Sequence, residues 1–461
     1  MSKFKPNARM AAAVARPPLR RSDTVNPGSS DLSSAAATLT LPRKEDEVSP
    51  ASVAFESSAQ RFALNVALVF FFFRISFLHE YITGHTGIDL HLMIVLGGLC
   101  YLGCLISGRG AAAFRDKCTW LWVGFLIWMT IATLTSTWRG GSIFQWNDYV
   151  KTIFPIILII PAVVTVKTDV RKFMTVIGLA GIANTALGFV SSDFKTGRMG
   201  LEAAGSIGDP NDYAAHLIFL IPAMVYFAFG LKKSVFYKIV GTLSVVAALY
   251  QILSTGSRGG LVSLMLFVLY VLVTGDRKLK VGILLGGPVL VLLALPLVPR
   301  NSIDRLNTLF ESTPQQHTEA EESTEARRAL LQASIDATLA HPIFGIGPSV
   351  FMDYEAGVAA ELGKHGMWHG THNAYTQISC ECGIPALVLV VAALGLTFRY
   401  LRRVRQLGDD TLKGASATLA VMLFGFCVAI FFLTKGYNFN FLIVSGLAIA
   451  MNRMVSEGNA A

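Results

Sequence analysis

Long apolar runs recur along most of the chain and are separated by short polar connections. A membrane-spanning helix requires about 20 predominantly apolar residues. On this criterion the sequence predicts about twelve spans, within residues 61–456. The runs are Phe62–Leu78, Ile88–Ile106, Thr119–Thr135, Tyr149–Val166, Val170–Val190, Tyr213–Phe229, Val235–Leu253, Gly260–Val273, Val281–Val298, Ile384–Phe398, Leu419–Leu433 and Phe439–Met451. The pattern therefore predicts an all-α, polytopic helical bundle in a membrane.

Two long segments interrupt this pattern. Residues 1–60 are rich in Ala, Ser, Pro and Arg and contain no signal-peptide core, so we predict a disordered cytoplasmic tail. Residues 299–383 separate the ninth and tenth predicted spans and hold five of the nine histidines, four of them within Arg327–Ala386. A loop of this length in a compact protein is usually functional. We therefore expect the chemistry of the protein to be centred in the 299–383 segment.

The 299–383 segment itself has helical patterns. Thr324–Ala340 carries an apolar stripe that predicts a helix, and Pro342 marks its end because a residue before proline is pushed out of helical geometry. Gly345 and Gly347 allow a tight turn. A second helical run begins near Thr371 and breaks at Gly383, before the next span.

Composition and charge agree with a membrane protein. A chain that is 53% hydrophobic and 15% charged is too apolar for an ordinary soluble domain. The net charge of +9 follows from loops rich in Lys and Arg, which are typical of the cytoplasmic side, so no nucleic-acid partner is predicted. Their alternation places both termini in the cytoplasm and the 299–383 segment outside. The six cysteines show no disulfide spacing, and we assign them no role.

Four basic residues lie away from the cytoplasmic loops: Lys151, Arg198, Arg258 and Arg327. A guanidinium group is suited to bidentate binding of phosphate. The turn around Arg258 contains Ser257 and two glycines, and backbone N–H groups that open a helix also bind anions. The structural alternative is that Arg258 and Lys151 only anchor their spans at the membrane boundary.

Two patterns resemble metal sites without completing one. His365, His369 and His372 have helical spacing suited to zinc, but the intervening glycines weaken the helix and no carboxylate completes a zinc signature. Asp209 and Asp212 would suit a divalent ion, although a turn and helix cap beginning at Asp209–Pro210 is the more ordinary explanation. We predict no metal and no cofactor.

Three motifs in the second half of the chain resemble the O-antigen ligase superfamily. They are S-T-G-S-R-G-G at Ser254–Gly260, A-H-P-I-F-G-I-G at Ala340–Gly347, and H-N at His372–Asn373 followed by G-I-P-A ending at Ala386. The ligase form of the last motif prefers Gly, Thr or Tyr where this chain has Ala386. The resemblance therefore leaves open a lipopolysaccharide ligase or an O-antigen or exopolysaccharide polymerase.

The resemblance implies an inverting, metal-independent glycosyltransferase at the periplasmic face of a bacterial inner membrane. Its donor would be a glycan on undecaprenyl diphosphate, and its acceptor a hydroxyl of lipid A-core or another glycan. His372 is the implied base, and Arg198 and Arg258 are the implied diphosphate clamp. Weaker candidates for the diphosphate are Lys151, Arg327, Asn373 and Tyr375. The alternative role for His372 is to tie its loop helix to a neighbouring span.

A second class of function, a lipid flippase or solute transporter, would share the apolar composition and a basic cavity. Transporters place ionisable residues in the middle of spans, beside broken helices. Here the candidates gather at predicted outer ends and in one outer segment, and no internal repeat is evident. This distribution favours the enzyme.

Overall fold

The computed structural model describes residues 50–89, 91–193, 198–201, 205–230, 234–275, 277–307 and 317–458. Most of the predicted tail, residues 1–49, lies outside the described residues. Helix α1 begins at Pro50, within the range predicted as tail.

The described part of the chain is a helical bundle with one very short β-ladder. The helices are α1 (Pro50–Ser76), α2 (Leu78–Thr86), α3 (Leu92–Ile106), α4 (Lys117–Leu134), α5 (Arg139–Asp148), α6 (Pro155–Val163), α7 (Lys167–Val190), α8 (Pro210–Phe229), α9 (Val235–Ser254), α10 (Arg258–Thr274), α11 (Arg277–Ala294), α12 (Arg300–Asn307), α13 (His317–Ala340), α14 (Phe351–Glu361), α15 (Ala374–Cys382), α16 (Ile384–Leu407), α17 (Asp410–Ala429) and α18 (Asn440–Gly458). A π-helical turn, Tyr149–Ile153, joins α5 to α6. Strands β1 (Ser192–Asp193) and β2 (Gly200–Leu201) pair antiparallel. Short 3₁₀ turns lie at Ala112–Arg115, Gly205–Ile207, Leu295–Leu297 and Ile430–Phe432.

The helices confirm a polytopic all-α membrane protein. Each of the twelve predicted apolar runs overlaps a helix. Within the described residues, eight segments are long and apolar enough to cross a membrane: Ser58–Ser76, Lys117–Leu134, Arg139–Val163, Lys167–Val190, Pro210–Phe229, Val235–Ser254, Ile384–Leu407 and Asp410–Phe432. Three shorter apolar helices accompany them, Leu92–Ile106, Arg258–Thr274 and Lys280–Val289. The count of twelve spans stays a prediction.

Helix α18 lies inside the bundle. Phe441–Val444 and Leu447–Met451 are almost completely buried, on all sides of the helix. It packs against α6 and α16, and Gly446 permits the close approach of α6, since a Cβ there would lie 2.9 Å from Ile160. The Ser445 and Thr397 hydroxyls, 2.9 Å apart, pair α18 with α16. Close packing around this buried helix holds the surrounding helices in fixed positions.

The 299–383 segment folds into α12, α13, α14 and α15, of which only parts of α13 and α15 were predicted. Helix α13 ends at Ala340, before Pro342, as predicted. Gly345 and Gly347 adopt the positive φ angles of a turn, 70° and 116°. The intervening Ile346 N–H donates to the Cys380 carbonyl at 2.8 Å, which fastens the turn to the end of α15.

The two ends of the bundle differ in chemistry. At one end, which we call the basic end, Lys167 pairs with Asp409 at 3.0 Å and Arg405 donates to the Thr274 carbonyl at 2.9 Å. At the other end, which we call the site end, the Ser302 hydroxyl donates to the Ser254 carbonyl at 2.7 Å, so the 299–383 segment contacts the end of α9. The basic loops and the 299–383 segment therefore lie at opposite ends of the helices.

Candidate active site

Arg198 is held between two helix ends at the site end of the bundle. Its Nε donates to the Thr255 carbonyl at 2.8 Å, and its Nη2 donates to Asn211 Oδ1 at 3.0 Å. The same Asn211 oxygen accepts from the Ser257 hydroxyl at 2.8 Å. These contacts join the segment before α8 to the turn between α9 and α10. Arg198 is thus placed beside the turn that carries Arg258.

The turn before α10 has the geometry that its sequence predicts. Ser257 caps the helix, with its hydroxyl accepting from the Gly260 N–H at 3.0 Å. Gly259 allows a close approach, because a Cβ there would lie 2.9 Å from Phe432. Arg258 is half-buried, and its Nη2 lies 3.3 Å from Thr324 Oγ1 of α13. The 299–383 segment therefore contacts the phosphate-binding candidate directly.

Arg305 of α12 is a member of the site that sequence reasoning missed. Its Cδ lies 3.5 Å from the position of a Cβ on Gly256, in the turn before Arg258. Gly256 has a positive φ of 57°, so a side chain there would be strained. Arg305 follows the ninth predicted span in R-N-S-I-D-R, where it looks like a boundary residue. Its helix could have been found from the helical spacing of Ile303 and Leu306 among the polar residues of Arg300–Asn307.

The four arginines form one cationic cluster, comprising Arg198, Arg258, Arg305 and Arg327. Burial first, and then repulsion by Arg305, Arg327 and Arg258, lowers the pKa of Arg198 to about 10, while Asp209 opposes this shift. Burial and Arg305 likewise lower the pKa of Arg327. Arg327 also lines a small cavity with Asn211 and Ser257. Each of these arginines thus lies in the positive field of its neighbours, and an anion bound between them would relieve that repulsion.

His372 faces this cluster from the start of α15. Its backbone has a φ of 48°, which non-glycine residues adopt rarely. The backbone N–H donates to Thr434 Oγ1 at 2.9 Å. Burial lowers the pKa of the ring to about 4, and the charges of Arg327 and His369 act in the same direction. The ring is therefore neutral at physiological pH and able to accept a proton.

The other metal-like residues have structural surroundings. Residues 364–372 are not helical, so the helical spacing of the three histidines is not realised. The rings of His369 and His372 lie 6.2 Å apart, and His369 Nδ1 hydrogen-bonds the Met367 carbonyl. Asp209 caps α8, as the turn interpretation predicted, and Asp212 pairs with Lys435 at 2.8 Å. Within the described residues, no three His, Cys, Asp or Glu side chains gather as a metal site.

The three weaker candidates outside the cluster occupy different positions. Asn373 caps α15, with its Oδ1 accepting from the Tyr375 N–H at 2.9 Å. The Tyr375 hydroxyl donates to the Cys427 carbonyl at 2.8 Å. Lys151 is exposed on the π-helical turn, inside the continuous segment Arg139–Val163 rather than at its start. Asn373 and Tyr375 thus position His372 and α15, and the structure does not bring Lys151 to the cluster.

A buried carboxyl group fixes α15 beneath His372. Glu381 Oε2 accepts from the Tyr437 hydroxyl at 2.7 Å and from Gln377 Nε2 at 3.3 Å. Gln377 in turn accepts from the Gly436 N–H at 2.8 Å. Burial raises the pKa of Glu381 to about 7, and these hydrogen bonds oppose the rise. The network joins α15 to residues 434–437, which also contact His372.

Fold and site together define a multi-pass membrane protein with a cationic cluster and a neutral histidine at one end of its helices. A family model described as O-Antigen ligase matches residues 243–391, about a third of the 461-residue chain. The match supports the resemblance of this segment to the O-antigen ligase superfamily. The matched range includes Arg258, Arg305, Arg327 and His372 but not Arg198. No curated protein matches the chain.

Proposed function

We propose that the protein is an inverting membrane glycosyltransferase of the O-antigen ligase type. It transfers a glycan from undecaprenyl diphosphate to a sugar hydroxyl, at the periplasmic face of a bacterial inner membrane. The observation that carries this proposal is the convergence of four arginines with one neutral, half-buried histidine at a single end of the bundle. The family match supports an enzyme of the ligase or polymerase type.

The arginines suit a lipid diphosphate as leaving group. When the bond from the anomeric carbon to the diphosphate oxygen breaks, negative charge develops on that oxygen. Preorganised cations stabilise such charge strongly where water is excluded. Arg198 and Arg258 are fixed by hydrogen bonds, and Arg327 and Arg305 reinforce their potential. The side chains of the protein thereby supply the electrostatic stabilisation themselves.

His372 suits the role of the base. The hydroxyl of the acceptor loses its proton to the neutral ring as its oxygen attacks the anomeric carbon opposite the diphosphate, and this single displacement inverts the configuration. A ring with a pKa near 4 is a weak base in the empty site. The positive charge of Arg327 is one cause of this low pKa. A bound diphosphate places negative charge beside Arg327, and this negative charge raises the pKa of the His372 ring and makes it a stronger base.

The bundle supports the proposed sidedness. The loops rich in Lys and Arg lie at the basic end, which we place in the cytoplasm together with both termini. The site end then faces the periplasm, where the 299–383 segment would form the roof of the site. A transporter would need charged residues along a path through the bundle, whereas this cluster stays at one end.

Transfer in proteoliposomes tests the proposal. The purified protein is reconstituted with a glycan on undecaprenyl diphosphate and with lipid A-core as acceptor. A ligase produces glycan on lipid A-core, and a polymerase produces longer glycans that remain on the lipid carrier. NMR of the new linkage should show an anomeric configuration opposite to that of the donor. Movement of donor across the bilayer without any new glycosidic bond would instead identify a flippase.

A further inference from the structure

A second polar cavity, of about 380 Å³, lies beside the arginine cluster. Its volume is within the range of roughly 300–1,000 Å³ that is typical of small-molecule sites. It is bounded by the ends of α1 and α5, the start of α8 and the 433–440 connection before α18. Ala215 and Leu433 line both this cavity and the small cavity at Arg327. Thr434, which holds the backbone of His372, lines it as well.

Arg74 projects into this cavity from the end of α1. Its guanidinium carbon lies 4.6 Å from the centre of the Phe439 ring. Its Nε is buried without a hydrogen-bond partner. Among the described residues no carboxylate pairs with it, although Glu80 and Asp148 act on it electrostatically. A buried N–H donor without a partner on a charged group is costly to a fold, so a ligand that accepts from it is expected.

A second unfilled group lines the same cavity. Asn440, at the start of α18, is 1% exposed, and its Oδ1 has no hydrogen-bond partner. An amide oxygen accepts hydrogen bonds, whereas a guanidinium donates them. The cavity therefore offers a cationic donor and a neutral acceptor at once. A ligand that carries both an anionic oxygen pair and a hydroxyl group satisfies both.

The other charged groups of the cavity are already engaged. Asp212 and Lys435 form an ion pair at 2.8 Å, and Lys435 also donates to the Ser206 carbonyl at 3.1 Å. Asp148 accepts from the Thr152 hydroxyl at 2.9 Å. Among the described residues that line the cavity, Arg74 is thus the cation that remains for a ligand, and its planar fork matches a carboxylate bidentately.

We propose that this cavity is a saccharide subsite in which Arg74 binds the carboxylate of an acidic sugar and Asn440 accepts from one of its hydroxyls. This inference rests on the proposed function, because the subsite would hold a sugar of the donor or acceptor glycan next to the reacting centre. The enzyme would accordingly prefer glycans with a uronic-acid type of residue at that position.

Binding of two matched sugars to the full-length protein in nanodiscs tests the subsite. Methyl β-D-glucuronide and methyl β-D-glucoside differ only in a carboxylate against a hydroxymethyl group. Hydrogen bonds to charged groups predict that the glucuronide binds about 10–100-fold more tightly. Arg74→Met should abolish this preference and leave glucoside binding unchanged. Arg61→Met, at an exposed arginine of the same helix, should keep the preference.

Asp148→Asn provides a second arm that does not depend on how well Arg74→Met folds. Removing the carboxylate that attracts Arg74 and repels an anion should strengthen glucuronide binding several-fold. Equal binding of the two sugars to the wild type, a preference that survives in Arg74→Met, or no gain in Asp148→Asn would each overturn the subsite. Sugar binding is measured independently of glycan transfer. An Arg74-dependent preference without any glycan transfer would support the subsite and refute the proposed glycosyltransferase. Glycan transfer without the preference would support the glycosyltransferase and refute the subsite.

Discussion

Burial lowers the pKa of two residues at the site end, with opposite consequences for their charge at neutral pH. Arg198 keeps its charge although burial and three neighbouring arginines lower its pKa, because even a pKa of about 10 leaves it protonated at neutral pH. His372 loses its charge, because burial, Arg327 and His369 lower the pKa of its ring to about 4. One cluster thus holds fixed cations beside a neutral base, which is the division of roles that a glycosyl transfer from a diphosphate needs.

Arg258→Lys should reduce transfer nearly as much as Arg258→Ala, by about 10²–10³-fold. A lysine ammonium keeps the charge but loses the two-pronged geometry that binds phosphate. The same is expected at Arg198, where two separate donors hold the side chain. Initial rates in proteoliposomes measure the effect. Arg328→Lys, at an exposed arginine of α13, is the control and should transfer normally. Lysine variants with wild-type rates would reduce Arg198 and Arg258 to boundary anchors.

His372→Ala should lower the transfer rate by about 10²–10⁴-fold, the usual contribution of a general base. Donor binding, which the arginines carry, should be largely kept. His365→Ala and His369→Ala serve as controls, with much smaller losses expected. If all three variants were equally inactive, a shared structural or metal role would explain the histidines better. Full activity of His372→Ala would move the base to another residue or to the diphosphate itself.

The pH dependence of the wild type gives an independent test of His372. The ring must be neutral to take a proton, so activity should fall as pH decreases through its pKa. With that pKa lowered to about 4 in the empty site, kcat/KM should fall only near pH 4. The bound diphosphate raises the pKa, so kcat should fall at a higher pH than kcat/KM. A kcat that falls at a lower pH than kcat/KM does would contradict this placement of His372.

Transfer should survive EDTA. Asp209 is occupied in capping α8, and Asp212 is paired with Lys435, so we predict that the arginines replace a divalent ion at the diphosphate. The measurement compares initial rates before and after chelation. Loss of transfer that Mg²⁺ or Mn²⁺ restores would make the two aspartates ligands after all.

Among the elements, those with a strong local signal were predictable and those defined by contacts were not. The end of α13 before Pro342 follows from backbone sterics, and the turn at Gly345 follows from glycine freedom. Gly345 has a further reason that sequence cannot show, since a Cβ there would collide with the Glu381 backbone. Helix α14 was missed because its residues alternate between small, acidic and apolar types without a clear stripe. Arg305 was missed because the residues that it approaches in space, such as Gly256 in the turn before α10, are distant from it in the sequence.

The buried Glu381 carboxyl group of α15 should make the folded protein less stable as pH rises. The pKa of Glu381 is raised from 4.5 to about 7, so the folded protein holds this proton more tightly than the unfolded chain does. The associated stability, about 3 kcal/mol, is fully present below pH 4.5 and is lost as pH rises through 7. Thermal unfolding should therefore show a lower Tm at pH 8 than at pH 5.

Glu381→Gln identifies the source of that pH dependence. Glutamine keeps an oxygen that accepts from the Tyr437 hydroxyl but cannot ionise. The difference in Tm between pH 5 and pH 8 should shrink in this variant. Glu361→Gln, at the exposed end of α14, should keep the wild-type difference. An unchanged difference in Glu381→Gln would assign the pH dependence to other groups.

At the scale of the whole molecule, hydropathy predicts which segments are helices but not which of them lie inside. Helix α18 and the lipid-facing candidates have similar apolar sequences, yet Leu442–Val444 are completely buried. The distinction depends on packing partners such as α6, which are distant in the chain. The cavity at Arg74 could not be predicted for the same reason, because the helix ends that enclose it are far apart in sequence. What the sequence did predict is the separation of basic loops from the site.

That separation predicts a definite orientation. With the basic end in the cytoplasm, residues of the 299–383 segment should be accessible only from the periplasm. Lys364, beside the non-helical stretch that leads to His372, and Arg402, near the basic end of α16, are both exposed. Five of the six native cysteines are buried and Cys427 is only partly exposed, so an introduced cysteine should dominate labelling. Residue 364 is a better probe than Gly366, where a Cβ would lie 2.6 Å from Ala356.

In intact cells, a membrane-impermeant maleimide should label Lys364→Cys and leave Arg402→Cys unmodified. In inverted membrane vesicles the two should exchange behaviour, because the cytoplasmic face is then outside. Labelling of Arg402→Cys in cells and of Lys364→Cys only in inverted vesicles would reverse the orientation. The arginine cluster and His372 would then face the cytoplasm, so this result would refute a reaction at the periplasmic face along with the topology.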